Sequence, residues 1–266
     1  MINSGALYAR LLTHELGIDS IPVSLKSIIN KLDILFDEVD TKGDFEGCFL
    51  TENGSKCILI DKNIISMTRR RFTIGHELGH ATIPHHNKKK YECSIDNAFF
   101  NKNINDEKEA NDFAAELLMP ETFLSEVSSK NGISFDVIKK ISKECETSLL
   151  SSAFQSAKYS PDKVVCVISQ NSKVKCSFAS EEMKDSRLFI FPKTTLSRDS
   201  LANDYFNQDG TVKNNEERSE EIYARAWFDV DNDRYNCIEH IIAIPSYNYV
   251  LSLICLSEQI DDNDDW

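Results

Sequence analysis

A short segment, His76-Glu77-Leu78-Gly79-His80, combines two imidazoles and a carboxylate at a spacing that could bind and use a metal ion. On a helix, residues four apart lie on one face, so His76 and His80 can reach a single ion. Glu77 is rotated about 100° from His76, which places its carboxylate beside the open position of that ion rather than on it. There it could take a proton from water and return it to a leaving amine. The pattern therefore predicts a hydrolytic centre with one zinc ion.

The five-residue pattern is not specific alone, because two surface histidines of an ordinary amphipathic helix would give the same spacing. A third ligand is needed, and the next predicted helix offers two candidates. Glu107 lies three residues before Ala110 and points with the apolar face of that helix. We favour Glu107 as the ligand, with Asn111 one turn further on orienting an imidazole. Glu109 is the alternative ligand, and either glutamate could instead be a solvated first-turn residue interacting with the helix dipole.

A polar stretch after the histidines brings further candidate groups close to them. Pro84 ends the predicted helix, and residues 85–105 have the composition of a surface loop. His85, His86 or Tyr91 in this loop could stabilise the oxyanion that forms when water attacks a peptide carbonyl. A polar loop with exposed histidines is the interpretation we favour, so transition-state stabilisation is a secondary hypothesis for these three residues.

Apolar periodicity predicts a helix-rich first part and a strand-rich second part of the chain. Helices are predicted at 5–17, 23–32, 68–83, 106–119, from 120 onward and within 134–159. Strands are predicted at 33–39, 47–51, 57–61, 164–169, 173–178, 187–191, 237–244 and 249–256. This order predicts an α+β protein with a first domain over 1–158, including the helical segment 120–158, and a smaller second domain over 161–260. We expect 47–51 or 57–61 to form a sheet edge that receives an extended substrate.

Composition narrows the classes of protein and partner. The net charge is −13, which disfavours general binding to nucleic acid or anionic lipid. No apolar stretch is long enough to cross a bilayer and no secretory signal is visible, so we expect a cytoplasmic protein without a membrane partner. The eight cysteines include no CxxC pair, which fits a reducing compartment. The three arginines at 69–71 are interpreted as solvated surface charge.

Two segments together resemble one family of metallopeptidases. The run RRRFTIGHELGH (69–80), followed by EKEANDFAAELLMP (107–120), resembles the ImmA/IrrE family. The helix pair and strands over 5–60 are also similar to that family, and the resemblance is thinner after residue 158. One departure is the sequence ATIPHH after His80, in which proline ends the helix early.

The resemblance implies a cytoplasmic zinc endopeptidase of the gluzincin type. It implies that His76, His80 and Glu107 are the ligands and that Glu77 is the general acid and base. The expected fold is a helix-rich, zincin-like domain with a short β-sheet, followed by a smaller β-rich α+β domain that senses or docks. The implied substrate is a helix-turn-helix transcriptional repressor, cleaved to release its genes in a mobile element, a stress response or a toxin–antitoxin setting.

Two other classes of function compete with this interpretation. The chain could be a non-enzymatic, metal-containing protein that sequesters a regulator or a toxin. Glu77 disfavours that class, because a structural zinc site has no use for a base beside an open position. The helices predicted within 134–159 could form a DNA-binding unit. Residues 120–160 carry equal numbers of lysines and acidic residues, so direct nucleic-acid binding is disfavoured.

Overall fold

The described part of the chain contains both helices and strands. The computed structural model describes residues 4–93, 105–213, 216–230 and 235–257. The described α-helices are α1 (Ser4–Leu16), α2 (Leu25–Lys31), α3 (Met67–Thr82), α4 (Asn105–Leu118), α5 (Glu121–Asn131), α6 (Phe135–Cys145), α7 (Leu149–Lys158) and α8 (Glu181–Asp185). The described strands are β1 (Leu35–Val39), β2 (Gly47–Glu52), β3 (Ser55–Asp61), β4 (Lys90–Cys93), β5 (Val164–Gln170), β6 (Lys173–Ala179), β7 (Glu217–Tyr223), β8 (Asn236–Ile244) and β9 (Tyr249–Leu256). The predicted α+β class is confirmed. None of the described helices has the length and apolar character that a membrane crossing requires.

The chain divides into two compact units, each with its own hydrophobic core. The first comprises the described parts of 1–123 and 140–152, and the second those of 124–139 and 153–266. This division differs from the predicted domains in assigning 124–139 and 153–158 to the second unit. The predicted ranges 1–158 and 161–260 therefore stay a prediction.

A four-stranded sheet in the first unit has the order β1-β3-β2-β4. β1 runs parallel to β3, while β2 is antiparallel to both β3 and β4. Asn53 and Gly54, both with positive φ, form the predicted hairpin turn between β2 and β3. Ile58 on β3 and Phe49 on β2 are buried in one core with Leu78 of α3 and Phe113 of α4. The sheet and the helices that carry the histidines are thus parts of one packed unit.

Local sequence sets the limits of α3 and lets α4 approach it closely. Ser66 caps α3 by accepting a hydrogen bond from the backbone N–H three residues later. Ile83 is extended because it precedes Pro84, and the helix ends there. A β-carbon on Gly79 would lie 3.1 Å from the α-carbon of Ala110 on α4. The glycine inside the histidine motif therefore lets the two helix backbones pack closely.

The second unit is built on a five-stranded antiparallel sheet of order β6-β5-β9-β8-β7. A short 3₁₀ helix, Leu201–Tyr205, packs on this sheet as part of the second core. Glu239 of β8 is fully buried and accepts hydrogen bonds from the backbone amides of Leu201 (2.8 Å) and Ala202 (3.0 Å). The buried carboxylate thereby fixes the start of the 3₁₀ helix against the sheet.

Strand prediction failed at three places. The strand predicted at 187–191 is wrong, because Arg187 has a φ of +57° in the turn after α8 and the following residues form no strand. β4 lies within the predicted loop 85–105, whose residues 94–104 lie outside the described residues. β7 was not predicted because it is an exposed edge strand rich in charge, without an alternation of apolar residues.

The expectation of an exposed edge at 47–51 or 57–61 is also wrong. β2 lies between β3 and β4, and β3 lies between β1 and β2. Both strands are therefore paired on their two sides. β1 and β4 are the edges of this sheet in the described part of the chain.

The three arginines at the start of α3 are structural rather than solvated. Arg69 pairs with Glu46, and its Nε lies 2.7 Å from Oε2 of that residue. Arg70 pairs with Glu38 of β1. Arg71 donates to the carbonyl oxygen of Val23 at 3.0 Å and also forms an ion pair. The side chains are only 15–21% exposed, so the prediction of a freely solvated run is wrong.

Candidate metal centre

Helix α3 presents His76 and His80 on one buried face, one turn apart. Their Nε2 atoms lie 3.1 Å from each other, and the residues are 1% and 2% exposed. Glu107 enters from the first turn of α4. Its Oε2 lies 3.2 Å from Nε2 of His76, and its Oε1 lies 3.5 Å from Nε2 of His80. Two imidazole nitrogens and one carboxylate thus converge on a common point.

The charge states of His80 and Glu107 are suited to binding a metal cation. Burial and the neighbouring His76 lower the pKa of His80 to about 4, although a hydrogen bond to Glu107 opposes this. Burial alone would raise the pKa of Glu107, but hydrogen bonds from the two histidines outweigh it and hold that pKa well below its ordinary value. At neutral pH the cluster therefore combines a neutral His80 with an ionised carboxylate. These are the forms in which both groups bind metals.

Glu77 lies beside this cluster and is completely buried. Neither of its carboxylate oxygens has a hydrogen-bond partner among the described residues. Its pKa is raised well above the ordinary value by burial and by the nearby charge of Glu107, and a weaker interaction with the backbone amide of Phe49, outside hydrogen-bond geometry, opposes this. A β-carbon on Gly47 of β2 would lie 2.6 Å from Oε1 of Glu77. The absence of a side chain at that position leaves room for the glutamate.

The side-chain amide of Asn111 contacts His76 on the ring nitrogen that faces away from the cluster. Oδ1 of Asn111, on α4, lies 2.9 Å from Nδ1 of His76. If the amide oxygen accepts the Nδ1 proton, the lone pair of His76 lies on Nε2 and points into the cluster. The structure thus places Asn111 where the proposed orienting role requires it.

The polar groups of the three predicted transition-state stabilisers all have side-chain partners. His86 is buried, with Nδ1 3.0 Å from Nδ1 of His80. His85 is half exposed and pairs with Glu109. The ring of Tyr91 stacks on His80 with centroids 4.0 Å apart, while its hydroxyl donates to Asp106 at 3.1 Å. Oxyanion stabilisation by these residues stays a prediction.

Glu109, the alternative third ligand, belongs to a different group of side chains. Its Oε2 lies 3.2 Å from Nε2 of His86, and it also contacts His85 and Ser4. Sequence reasoning missed this group, because Pro84 interrupts the helical spacing that relates His80 to the histidines after it. The contact between His86 and Glu109 depends on how the chain after Pro84 folds back onto α4.

Cys93, at the end of β4, also lies near the catalytic candidates. Its sulfur is within 4.8 Å of the ligand atoms of His76 and Glu77. Burial and then the charge of Glu77 raise the pKa of this thiol to about 12. In the absence of an ion, Cys93 is therefore a protonated thiol at neutral pH. All eight cysteines are free thiols.

The donor set fits a catalytic metal ion. Two imidazoles and one carboxylate, within 4.8 Å of one another, are a ligand set of hydrolytic zinc sites, in which the fourth position is left to water or substrate. The buried carboxylate of Glu77, without a partner in the described chain, needs a polar or cationic neighbour to offset the cost of its burial. An ion and its water would supply both.

The site geometry is that of a metallopeptidase-like domain, and a comparison with known proteins supports this assignment. Residues 32–149 match the family model Peptidase_M78, described as the IrrE N-terminal-like domain. This match supports the resemblance of this part of the chain to the ImmA/IrrE family, which the sequence motifs predicted. No curated protein sequence matches the chain.

A solved structure shares the overall fold. It is entitled "Mycobacterium tuberculosis transcriptional regulator", is 11% identical, and superposes with a TM-score of 0.56 over 96% of this chain and 77% of that chain. At this level of identity the likeness shows a shared fold and carries no statement about activity.

Proposed function

We propose that this protein is a zinc-dependent endopeptidase. His76, His80 and Glu107 would hold one zinc ion, and Glu77 would act as the general acid and base. The observation that carries the proposal is the convergence of three ligand atoms from two helices beside a buried, unpartnered carboxylate. A structural metal site would not need that carboxylate.

The chain's own residues have separate tasks in peptide hydrolysis. A bound zinc ion would supply Lewis acidity toward a water molecule and toward the substrate carbonyl. Glu77 accepts a proton from the attacking water at a carboxylate oxygen, and later delivers it to the nitrogen of the leaving amine. Asn111 keeps Nε2 of His76 directed into the cluster. The buried surroundings of Glu77 exclude bulk water, which strengthens electrostatic interactions within the site.

The substrate class follows from the family. A peptidase acts on a protein or peptide, and the ImmA/IrrE resemblance points to a helix-turn-helix transcriptional repressor whose cleavage releases its target genes. We place this reaction in the cytoplasm, in a mobile-element, stress-response or toxin–antitoxin setting. The second unit would sense a signal or dock the repressor. Direct binding of nucleic acid by this chain is not expected at a net charge of −13.

The test is cleavage of helix-turn-helix regulators encoded near this gene. Wild-type protein is incubated with each regulator, with and without a chelator, and fragments are identified by mass spectrometry. Glu77→Gln should retain stoichiometric zinc and lose cleavage, because the amide cannot accept the proton of water. Glu52→Gln, which alters an exposed glutamate at the end of β2, is the matched control and should cleave like the wild type.

Two results separate the competing classes. Cleavage that survives in Glu77→Gln would remove that residue from its role. Alternatively, wild type and Glu77→Gln could both bind a regulator and relieve repression with no fragments formed. That result would identify a protein that sequesters its partner without hydrolysing it.

A further inference from the structure

A second chain of hydrogen bonds, separate from that of Asn111, reaches the proposed metal ligands. Nδ1 of His86 lies 3.0 Å from Nδ1 of His80, and Nε2 of His86 lies 3.2 Å from Oε2 of Glu109. The side chain of His86 is fully buried between them. His76 and His80 thus each have a partner at Nδ1, an amide oxygen in one case and an imidazole in the other.

One proton lies between the two facing Nδ1 atoms, and its position fixes the remaining bonds. If Nε2 of His80 uses its lone pair to hold an ion, the proton of that neutral ring is at Nδ1. Nδ1 of His86 must then accept, so the proton of neutral His86 is at Nε2. That N–H faces Oε2 of Glu109, which accepts it. The direction of donation is therefore the same along the whole chain, from His80 through His86 to Glu109.

Glu109 is a suitable end for this chain because several neighbours fix its carboxylate. Its Oε1 accepts a hydrogen bond from the hydroxyl of Ser4 at the start of α1. Its Oε2 also contacts Nε2 of His85. The ring of Tyr91 stacks on His80 and on His86, with centroid distances of 4.0 and 5.7 Å, which limits the rotation of both imidazoles.

We propose that His86 and Glu109 are positioning residues that hold His80 in the tautomer and orientation needed to bind metal through Nε2. This inference rests on the proposed function, because it assumes that His80 is a ligand. It also argues against a second ion between His85, His86 and Glu109, whose ligand atoms lie within 4.8 Å of one another. Nε2 of His86 carries the proton in this arrangement and has no lone pair to offer.

The test measures zinc affinity and histidine tautomers in the full chain. His86→Phe keeps a ring in the buried position but can neither accept from His80 nor donate to Glu109. We expect its zinc affinity, measured by competition with a chelating dye, to fall roughly 10- to 100-fold, as for other partners of metal-bound histidines. Glu109→Gln should also weaken binding. Lys89→Gln, which alters an exposed side chain three residues after His86, is the matched control, and its affinity should be unchanged.

Ring nitrogen–proton NMR correlation spectra of the zinc-loaded wild type provide a readout that needs no variant. The spectra should show the proton of His80 at Nδ1 and that of His86 at Nε2. Wild-type zinc affinity in His86→Phe would overturn this inference and leave the proposed function intact. A His86 proton at Nδ1 would overturn the inference and would also contradict His80 as an Nε2 ligand. A wild-type chain that binds no zinc would overturn both.

Discussion

Glu107 on α4 spans the two histidines of α3, with Oε2 3.2 Å from Nε2 of His76. The residue lies in the first turn of its own helix and reaches a different helix. Its side chain is 14% exposed, so the carboxylate is largely removed from water. An ionised carboxylate in that position is stable only beside positive charge or hydrogen-bond donors.

Replacement of Glu107 by glutamine should therefore weaken zinc binding more than any change outside the ligand set. Loss of a partner to a ligating histidine typically costs 10- to 100-fold in affinity, and we expect Glu107→Gln to exceed about 100-fold. Competition with a chelating dye measures the affinity. Glu126→Gln, an exposed change on α5, is the control. Equal affinities for Glu107→Gln and wild type would exclude Glu107 as a ligand.

A β-carbon at position 47 should destabilise the first unit. In Gly47→Ala the added atom would lie 2.5 Å from Cγ2 of Thr73 and 2.6 Å from Oε1 of Glu77. Overpacking of this kind typically costs about 1–3 kcal/mol in the free energy of unfolding. Urea denaturation measures the change, and the same variant should turn over substrate more slowly because the carboxylate of Glu77 is displaced.

A second substitution, at Thr73, tests whether the clash with the added β-carbon at position 47 causes this destabilisation. Thr73→Ser removes the Cγ2 atom and keeps the hydroxyl, which bonds to the carbonyl of Arg69. Gly47→Ala should therefore be less destabilising in a Thr73→Ser background than in the wild type. Additive effects of the two substitutions would show that the contact between Gly47 and Thr73 does not limit packing.

Glu239 should make the stability of the second unit depend on pH. Burial raises the pKa of this carboxyl above its ordinary value, although hydrogen bonds from the amides of Leu201 and Ala202 oppose the shift. The folded state then binds the proton more tightly than the unfolded state. The contribution of Glu239 to stability is present below its unfolded pKa and is lost as the pH rises through its folded pKa.

Comparison with Glu239→Gln isolates that contribution. The difference in unfolding free energy, wild type minus variant, should decrease as the pH rises above the ordinary glutamate value of 4.5. Urea denaturation followed by the fluorescence of Trp227 reports on the second unit, because Trp227 lies in that unit. A difference that is constant with pH, or that increases, would contradict the raised pKa.

The local sequence pattern was enough to locate α3, the helix that carries the two histidines. Spacing along one helix does not depend on the rest of the fold, so His76 and His80 fall on one face of α3 and Glu77 falls beside them. The hairpin at Asn53 and Gly54 was predictable for a similar reason, since its turn needs residues that tolerate positive φ.

The order of the strands and the edges of the sheets could not be predicted from the local sequence pattern. β7 is held by its pairing with β8 and not by its own composition, which is charged and exposed. β3 is an inner strand because β1 pairs with it, and β2 is an inner strand because β4, a four-residue strand inside a predicted loop, pairs with it. Hydrogen bonds between distant segments decide such pairings, and no local periodicity records them.

The sequence by itself determined which residues could do the chemistry: two imidazoles one turn apart, a glutamate beside them, and a second helix with Glu107 on its apolar side. The tertiary structure decided which groups meet. It set Glu107 against the histidines of α3 and directed Glu109 to His85 and His86 instead. The physical reason is that close packing of α3 on α4, permitted at Gly79, and the return of the chain after Pro84 act between residues far apart in sequence.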